Sequence, residues 1–272
     1  MISGQIDAGR FRQLMARSAR TQMLLVGNSH INCMVGASSI EPLSRINVRG
    51  SATFMAMQMP WPWNDQACQT AIAAARDTVL FISWHGNEHN NQFLFENDPP
   101  FDFLSSRFPH LPMENAHLLS ETAVRAAFAY SVDGLRKFIG DARAAGVAPI
   151  AIIGGPPPKR NESFLKRLLL EGVENYVSAA ERLGVAPQDL KFTAPFVRLK
   201  LWGVLQDMRE ELARSEGCHY IGPPSSAVDD DGFLKEEFWN YDLTHANFAY
   251  GDLALCEAIS YCLEKMTPPI HE

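Results

Sequence analysis

The chain has 272 residues, 46% of them hydrophobic and 20% charged, with a formal net charge of -7 at pH 7. That is ample apolar material for a substantial core, and the acidic balance supplies no basic footprint, so nucleic acid is not an expected partner. The five cysteines, Cys33, Cys68, Cys218, Cys256 and Cys262, form no CxxC pair, which argues for reduced thiols and against a disulfide framework or a zinc knuckle.

Residues 1–20 carry Arg10, Arg12, Arg17 and Arg20 but no continuous apolar run. They therefore lack the apolar region of a secretory signal. Nor is any stretch long enough to span a bilayer, and a cytoplasmic location is the expectation. The first strand is expected at Thr21 to Val26 (TQMLLV), a short apolar run stopped by Gly27. Similar runs follow at Arg45 to Val48, Thr78 to Trp84, Val147 to Ile153 and Cys218 to Ile221. Helical spacing marks Ser120 to Ala145, with Val124, Phe128, Leu135, Phe138, Ile139 and Ala142 on one face and Gly146 as the stop. Further helices are expected over Asn161 to Leu183, Pro195 to Ser215 and Asn247 to Lys265.

Strands alternating with helices imply an α/β fold with a parallel sheet covered on both faces. No internal repeat, low-complexity tract or Gly/Ser linker divides the sequence, so one domain over 1–272 is expected. It carries a Pro-rich and aromatic insertion at about 91–117, which reads equally as a lid over a site or as a packed excursion.

In such a sheet ligands sit beyond the carboxyl ends of the strands, so the residues just after each apolar run carry the information. After the first comes Gly27-Asn28-Ser29-His30, after the third His85-Gly86-Asn87-Glu88, and before the last helix Asp242-Leu243-Thr244-His245. A serine at a strand-to-helix turn can present its hydroxyl above the sheet. His245 with Asp242 three residues earlier can supply an oriented imidazole as its base. His85, Glu88 and His89 lack the HExxH spacing that would set two ligands on one helix face, so no metal is expected. Gly154-Gly155-Pro156-Pro157-Pro158 lacks the Gly-Lys-Ser/Thr ending of a phosphate loop, and its prolines remove N–H donors. It reads as a rigid rim.

In order along nearly the whole chain, these blocks resemble those of the SGNH (GDSL-like) hydrolase superfamily. There a Gly-Asp-Ser motif follows the first strand, a glycine the second and a Gly-x-Asn-Asp motif the third, and Asp-x-x-His precedes the last helix. The resemblance implies a flavodoxin-like three-layer α/β/α sandwich with a central, mainly five-stranded parallel sheet, and ester hydrolysis with neither metal nor cofactor. It makes Ser29 the nucleophile and Asp242 and His245 the acid and base. The backbone of Ser29 and Gly50 and the side chain of Asn87 become the oxyanion-hole donors, with Asn90 the alternative to Asn87. Asn28 stands where the family has aspartate, and Glu88 directly follows Asn87. His30, His85, Trp84 and Trp239 are candidate pocket lining, and Trp61, Trp63 and Tyr241 also lie near strand ends or the Asp-x-x-His block.

The expected function is a serine esterase that removes a small acyl group, for example O-acetyl from a carbohydrate, through an acyl-enzyme. Its partner would be a small-molecule or carbohydrate ester. The alternatives are an O-acyltransferase with the same triad and a non-catalytic binding protein on the same fold.

Overall fold

The computed structural model describes residues 4–5, 21–35, 45–49, 52–60, 62–84, 87–173 and 176–266. The strands among them are β1 (Gly4–Gln5), β2 (Thr21–Gly27), β3 (Arg45–Arg49), β4 (Ala52–Gln58), β5 (Val79–Ser83), β6 (Phe101–Phe103), β7 (His117–Leu119), β8 (Ile150–Ile153) and β9 (His219–Ile221). The helices are α1 (Ile31–Val35), α2 (Asp65–Ala75), α3 (Glu88–Phe93), α4 (Glu121–Ala144), α5 (Glu162–Leu170), α6 (Val177–Leu183), α7 (Pro195–Ser215) and α8 (Phe248–Met266).

The main sheet runs β1-β3-β4-β2-β5-β8-β9. The β4-β2-β5-β8-β9 stretch is parallel throughout. Taken in chain order these five strands lie second, first, third, fourth, fifth, the flavodoxin-like order, in which the crevice for a ligand opens between the first and third strands. Here those are β2 and β5. Successive residues of β2 feed opposite layers: Leu24 and Val26 pack with Leu135, Phe138 and Ile139 of α4 on one face. Met23 and Leu25 pack with Ile31 of α1 and Leu255 of α8 on the other. With both faces covered, every residue of β5 is buried, as a central parallel strand requires.

Three sequence expectations change. Arg45 to Val48 is a strand, but it pairs antiparallel with β4. The second parallel strand is β4, ATFMAMQ. Its Ala and Met content carries little strand propensity, and burial of Phe54, Met55, Ala56 and Met57 decides its conformation. The helix expected over Asn161 to Leu183 is two, α5 and α6. Gly172 at φ +67° ends the first in a left-handed turn, where Val173 N–H donates to Leu168 O at 3.2 Å.

The 91–117 segment is mostly a packed excursion. β6 and β7 form a small parallel pair, and Phe103 is fully buried in a cluster with Phe128 of α4 and Val197 and Leu201 of α7. Lys200 of α7, also buried, donates to Asp102 at 2.9 Å and to Phe103 O at 3.0 Å. No helix among the described residues is long and apolar enough to cross a membrane.

Two helices that begin just after the candidate catalytic blocks meet directly. α1 follows Ser29, α8 follows His245, and a Cβ placed on Gly251 of α8 would lie 2.0 Å from Cys33 O of α1. Glycine alone permits that approach.

Candidate active site

Ser29 occupies the turn between β2 and α1. The turn is tight, because a Cβ on Gly27 would fall 2.6 Å from Ile31 Cγ2 and 2.7 Å from Ser83 O. Asn28 ties it to the segment after β4: Nδ2 donates to Met59 O at 3.0 Å, and Oδ1 accepts from Trp63 Nε1 at 2.7 Å. Asn28 therefore acts as both donor and acceptor within the turn.

The loop before α8 brings His245 Nε2 to 2.7 Å from Ser29 Oγ, and His245 Nδ1 to 3.1 Å from Asp242 Oδ2. A carboxylate only accepts, so the proton belongs on Nδ1 and Nε2 is left to receive the serine hydroxyl hydrogen. Asp242 Oδ1 is engaged separately, by the N–H groups of Thr244 at 2.9 Å and His245 at 2.7 Å. Burial pushes the Asp242 carboxyl up. The hydrogen bond from His245 and the charge of Lys159 outweigh that push, and hold it well below the usual carboxylate range.

Asn87 follows β5, across the crevice. Its Nδ2 donates to Thr244 Oγ1 at 3.1 Å, and its Oδ1 accepts from Asn90 Nδ2 at 2.9 Å. Asn90 thus stands behind Asn87 and fixes which end of its amide faces Thr244 and His245. Glu88, the next residue, turns away from the site. It is fully buried, accepts from Ser131 of α4, and pairs with Arg209 of α7 at 2.9 Å.

Gly50 lies outside the described residues. Arg49 pairs with Ala52, and Ala52 with Thr21, the first residue of β2. Ser29 lies beyond Gly27, the last residue of β2, which pairs with Gln58; that is six residues along the strand, roughly 20 Å. The residue that follows the second parallel strand is Met59, whose N–H donates to Gly27 O at 2.7 Å.

Of the candidate lining residues, His30 is buried with its ring 4.8 Å from that of His245. Burial, reinforced by the charge of His245, lowers its pKa to about 3, so it stays neutral beside that ring. Trp84 does not line the site. It packs on Trp63 at 4.3 Å and against Gly134 of α4 in the core. Trp239 lines a neighbouring cavity with Phe164 and Tyr241, reached past Asn240. His85 and Trp61 lie outside the described residues. His89 is buried, and burial lowers it to about 3. Among the described residues no group of three or more His, Cys, Asp or Glu side chains is placed to hold a metal ion.

Two cavities flank Ser29, His30 and His245. One, about 330 Å³, is bounded by Asn32, Cys33, Asn247 and Phe248. The other, about 480 Å³, is bounded by Asn28, Asn87, Asn90, Asn91, Leu94, Tyr176 and Thr244. Lys159 and Tyr176 are not marked by any sequence motif, and three-dimensional proximity alone brings them here.

No family model matches the chain, and no curated protein matches it. Among solved structures it is similar to phospholipase A1 from Streptomyces albidoflavus, at 13% identity with TM-score 0.49, over 89% of this chain and 99% of that one. It is also similar to a GDSL-like lipase from Bacteroides thetaiotaomicron, at 12% identity with TM-score 0.44, over 96% and 98%. A third is a lipopolysaccharide acetyltransferase periplasmic domain from Salmonella ser. Paratyphi A, at 13% identity with TM-score 0.44, over 90% and 85%.

Proposed function

We propose that the protein is a serine esterase acting through an acyl-enzyme, with Ser29 as nucleophile, His245 as base and Asp242 as its orienting carboxylate. The observation that carries this reading is the unbroken relay from Ser29 Oγ to His245 Nε2 at 2.7 Å and from His245 Nδ1 to Asp242 Oδ2 at 3.1 Å. Three side chains brought to this spacing at the mouth of the crevice are what hydroxyl activation needs.

His245 takes the Ser29 proton as Oγ attacks the ester carbonyl. Negative charge then develops on the carbonyl oxygen, where the Ser29 N–H and the Asn87 amide are the candidate donors. The imidazolium returns its proton to the leaving alkoxide, and water, activated by the same nitrogen, releases the acid. The two flanking cavities suit an acyl group on one side and an alcohol on the other. Their abundance of amide and hydroxyl side chains favours a hydroxylated alcohol such as a sugar, and the smaller volume favours a short acyl chain. The transferase alternative uses the same acyl-enzyme with a sugar hydroxyl in place of water, and product analysis with added alcohol acceptors separates it from hydrolysis.

Hydrolysis of p-nitrophenyl acetate, butyrate and octanoate tests the proposal: the expected order is acetate first, octanoate last. No turnover of any of the three, together with no labelling by a fluorophosphonate, would contradict it. The Asn87→Ala variant is expected to lose about 10²–10³ in kcat with a small change in KM, since the donor acts on charge present only in the transition state. An unchanged kcat would remove Asn87 from the oxyanion hole.

A further inference from the structure

Buried lysines are rare unless their charge is matched, and Lys159 is one: only 1% of its side chain is exposed. It ends the run Gly154-Gly155-Pro156-Pro157-Pro158, all of it buried. The run is anchored along its length. Gly154 N–H donates to Ile221 O at 2.9 Å, Gly155 O accepts from Trp202 Nε1 at 3.1 Å, and Pro158 O accepts from Leu234 N–H at 3.2 Å. Arg198 Nη1, itself buried, donates to Lys159 O at 2.9 Å. Three prolines in succession bring no N–H groups that burial would leave unsatisfied, so a rigid rod can cross the interior and deliver an ammonium to a fixed point.

That point is the back of Asp242. Lys159 Nζ donates to Asp242 O at 2.5 Å and Asn240 O at 2.7 Å, and lies 3.3 Å from Asp242 Oδ1. Asn240 Nδ2 in turn donates to Asp242 Oδ2 at 2.6 Å. The carboxylate is therefore pinned from behind on Oδ1, while Oδ2 is left aimed at His245. Among the described residues, charged and titratable groups also surround the pair, beginning with the buried Arg198 of α7 at Lys159 O. His30 faces it from the turn after β2, Cys33 of α1 borders the same cavity, and Arg209 of α7 with Glu88 of α3 lies beyond His30.

We propose that Lys159 is a positioning residue for the triad: it fixes the loop carrying Asp242 and, by its charge, sets how strongly Asp242 draws positive charge onto His245. This rests on the serine-esterase reading of the site. An ammonium behind the carboxylate offsets part of the negative charge that the imidazolium would otherwise feel. Removing that ammonium makes protonation of the imidazole easier, and the active, neutral form is then reached at higher pH.

The test compares Lys159→Gln, which keeps amide donors for the two carbonyls but drops the charge, with Lys159→Arg, which keeps the charge. In Lys159→Gln the acid limb of the kcat/KM profile is expected to move upward by roughly 0.5–1 pH unit; in Lys159→Arg it is expected to stay with wild type, even if the plateau falls. Loss by the same factor at every pH in Lys159→Gln would overturn the proposal. A second comparison needs no activity, and so stands apart from the esterase reading. Lys159→Gln is expected to lower Tm in the wild-type background and to raise it in Asp242→Asn, where it removes an ammonium that has lost its counter-charge. A fall in both backgrounds would reduce Lys159 to a hydrogen-bonding strut and overturn the electrostatic role.

Discussion

Ser29→Ala is expected to lower kcat for p-nitrophenyl acetate by about 10⁴–10⁶ while leaving Tm within a degree or two of wild type. The large kinetic term follows from the relay: without Oγ there is no acyl-enzyme, and His245 can only assist water in a site shaped for a covalent step. A small thermal effect is expected because Ser29 is only half-buried and its turn is held by its neighbours. Asn28 bonds to Met59 and Trp63, and Asn32 N–H bonds to Ser29 O at 3.1 Å, none of which uses Oγ. Matched preparations assayed for turnover and for melting check both halves. Equal turnover in variant and wild type would exclude Ser29 as nucleophile, and lost turnover with a collapsed Tm would make the serine a structural residue.

Arg209→Met is expected to reduce the unfolding free energy by about 3–5 kcal/mol, the largest stability effect we anticipate from one surface-remote substitution. Arg209 and Glu88 are both almost wholly inaccessible. The variant leaves the Glu88 carboxyl fully buried without its guanidinium counter-charge, while Ser131 still donates to it and His89 beside it is held neutral by burial. Denaturant unfolding at neutral pH measures the loss. Adding Glu88→Gln is expected to recover most of it, because a neutral amide does not need the guanidinium; failure to recover would mean that Arg209 acts mainly through packing. The single variant should also lower kcat, since Glu88 is the first residue of α3 and anchors the chain directly after Asn87.

The blocks that meet in the candidate site could be picked out in the sequence because each is short and lies within one turn or loop. Gly27 and Ser29 share one turn, and Asp242 and His245 are three residues apart, a spacing that lets one loop close the carboxylate onto the ring. The strands β2 and β5 were legible as apolar runs, and α4, α7 and α8 fell within a residue or two of their expected ends. What failed depends on distant partners. β4 looks unlike a strand until Phe54 to Met57 are buried on both faces. Lys159 sits 83 residues from Asp242 in the chain, and nothing local to a Pro-Lys sequence says that its ammonium will be buried. Trp84, next to the His-Gly-Asn block in sequence, points into the core because successive residues at a strand end face opposite ways.

The contact between α1 and α8 at Gly251 has a temporal side. Ser29 and His245 are 216 residues apart, so a chain emerging during synthesis displays Ser29 long before His245 is made. On the proposed reading, Ser29 stays an ordinary alcohol until α8 docks across Cys33 of α1 and His245 reaches its hydroxyl. On the serine-esterase reading proposed above, the return of activity during refolding would date the closing of that one helix pair.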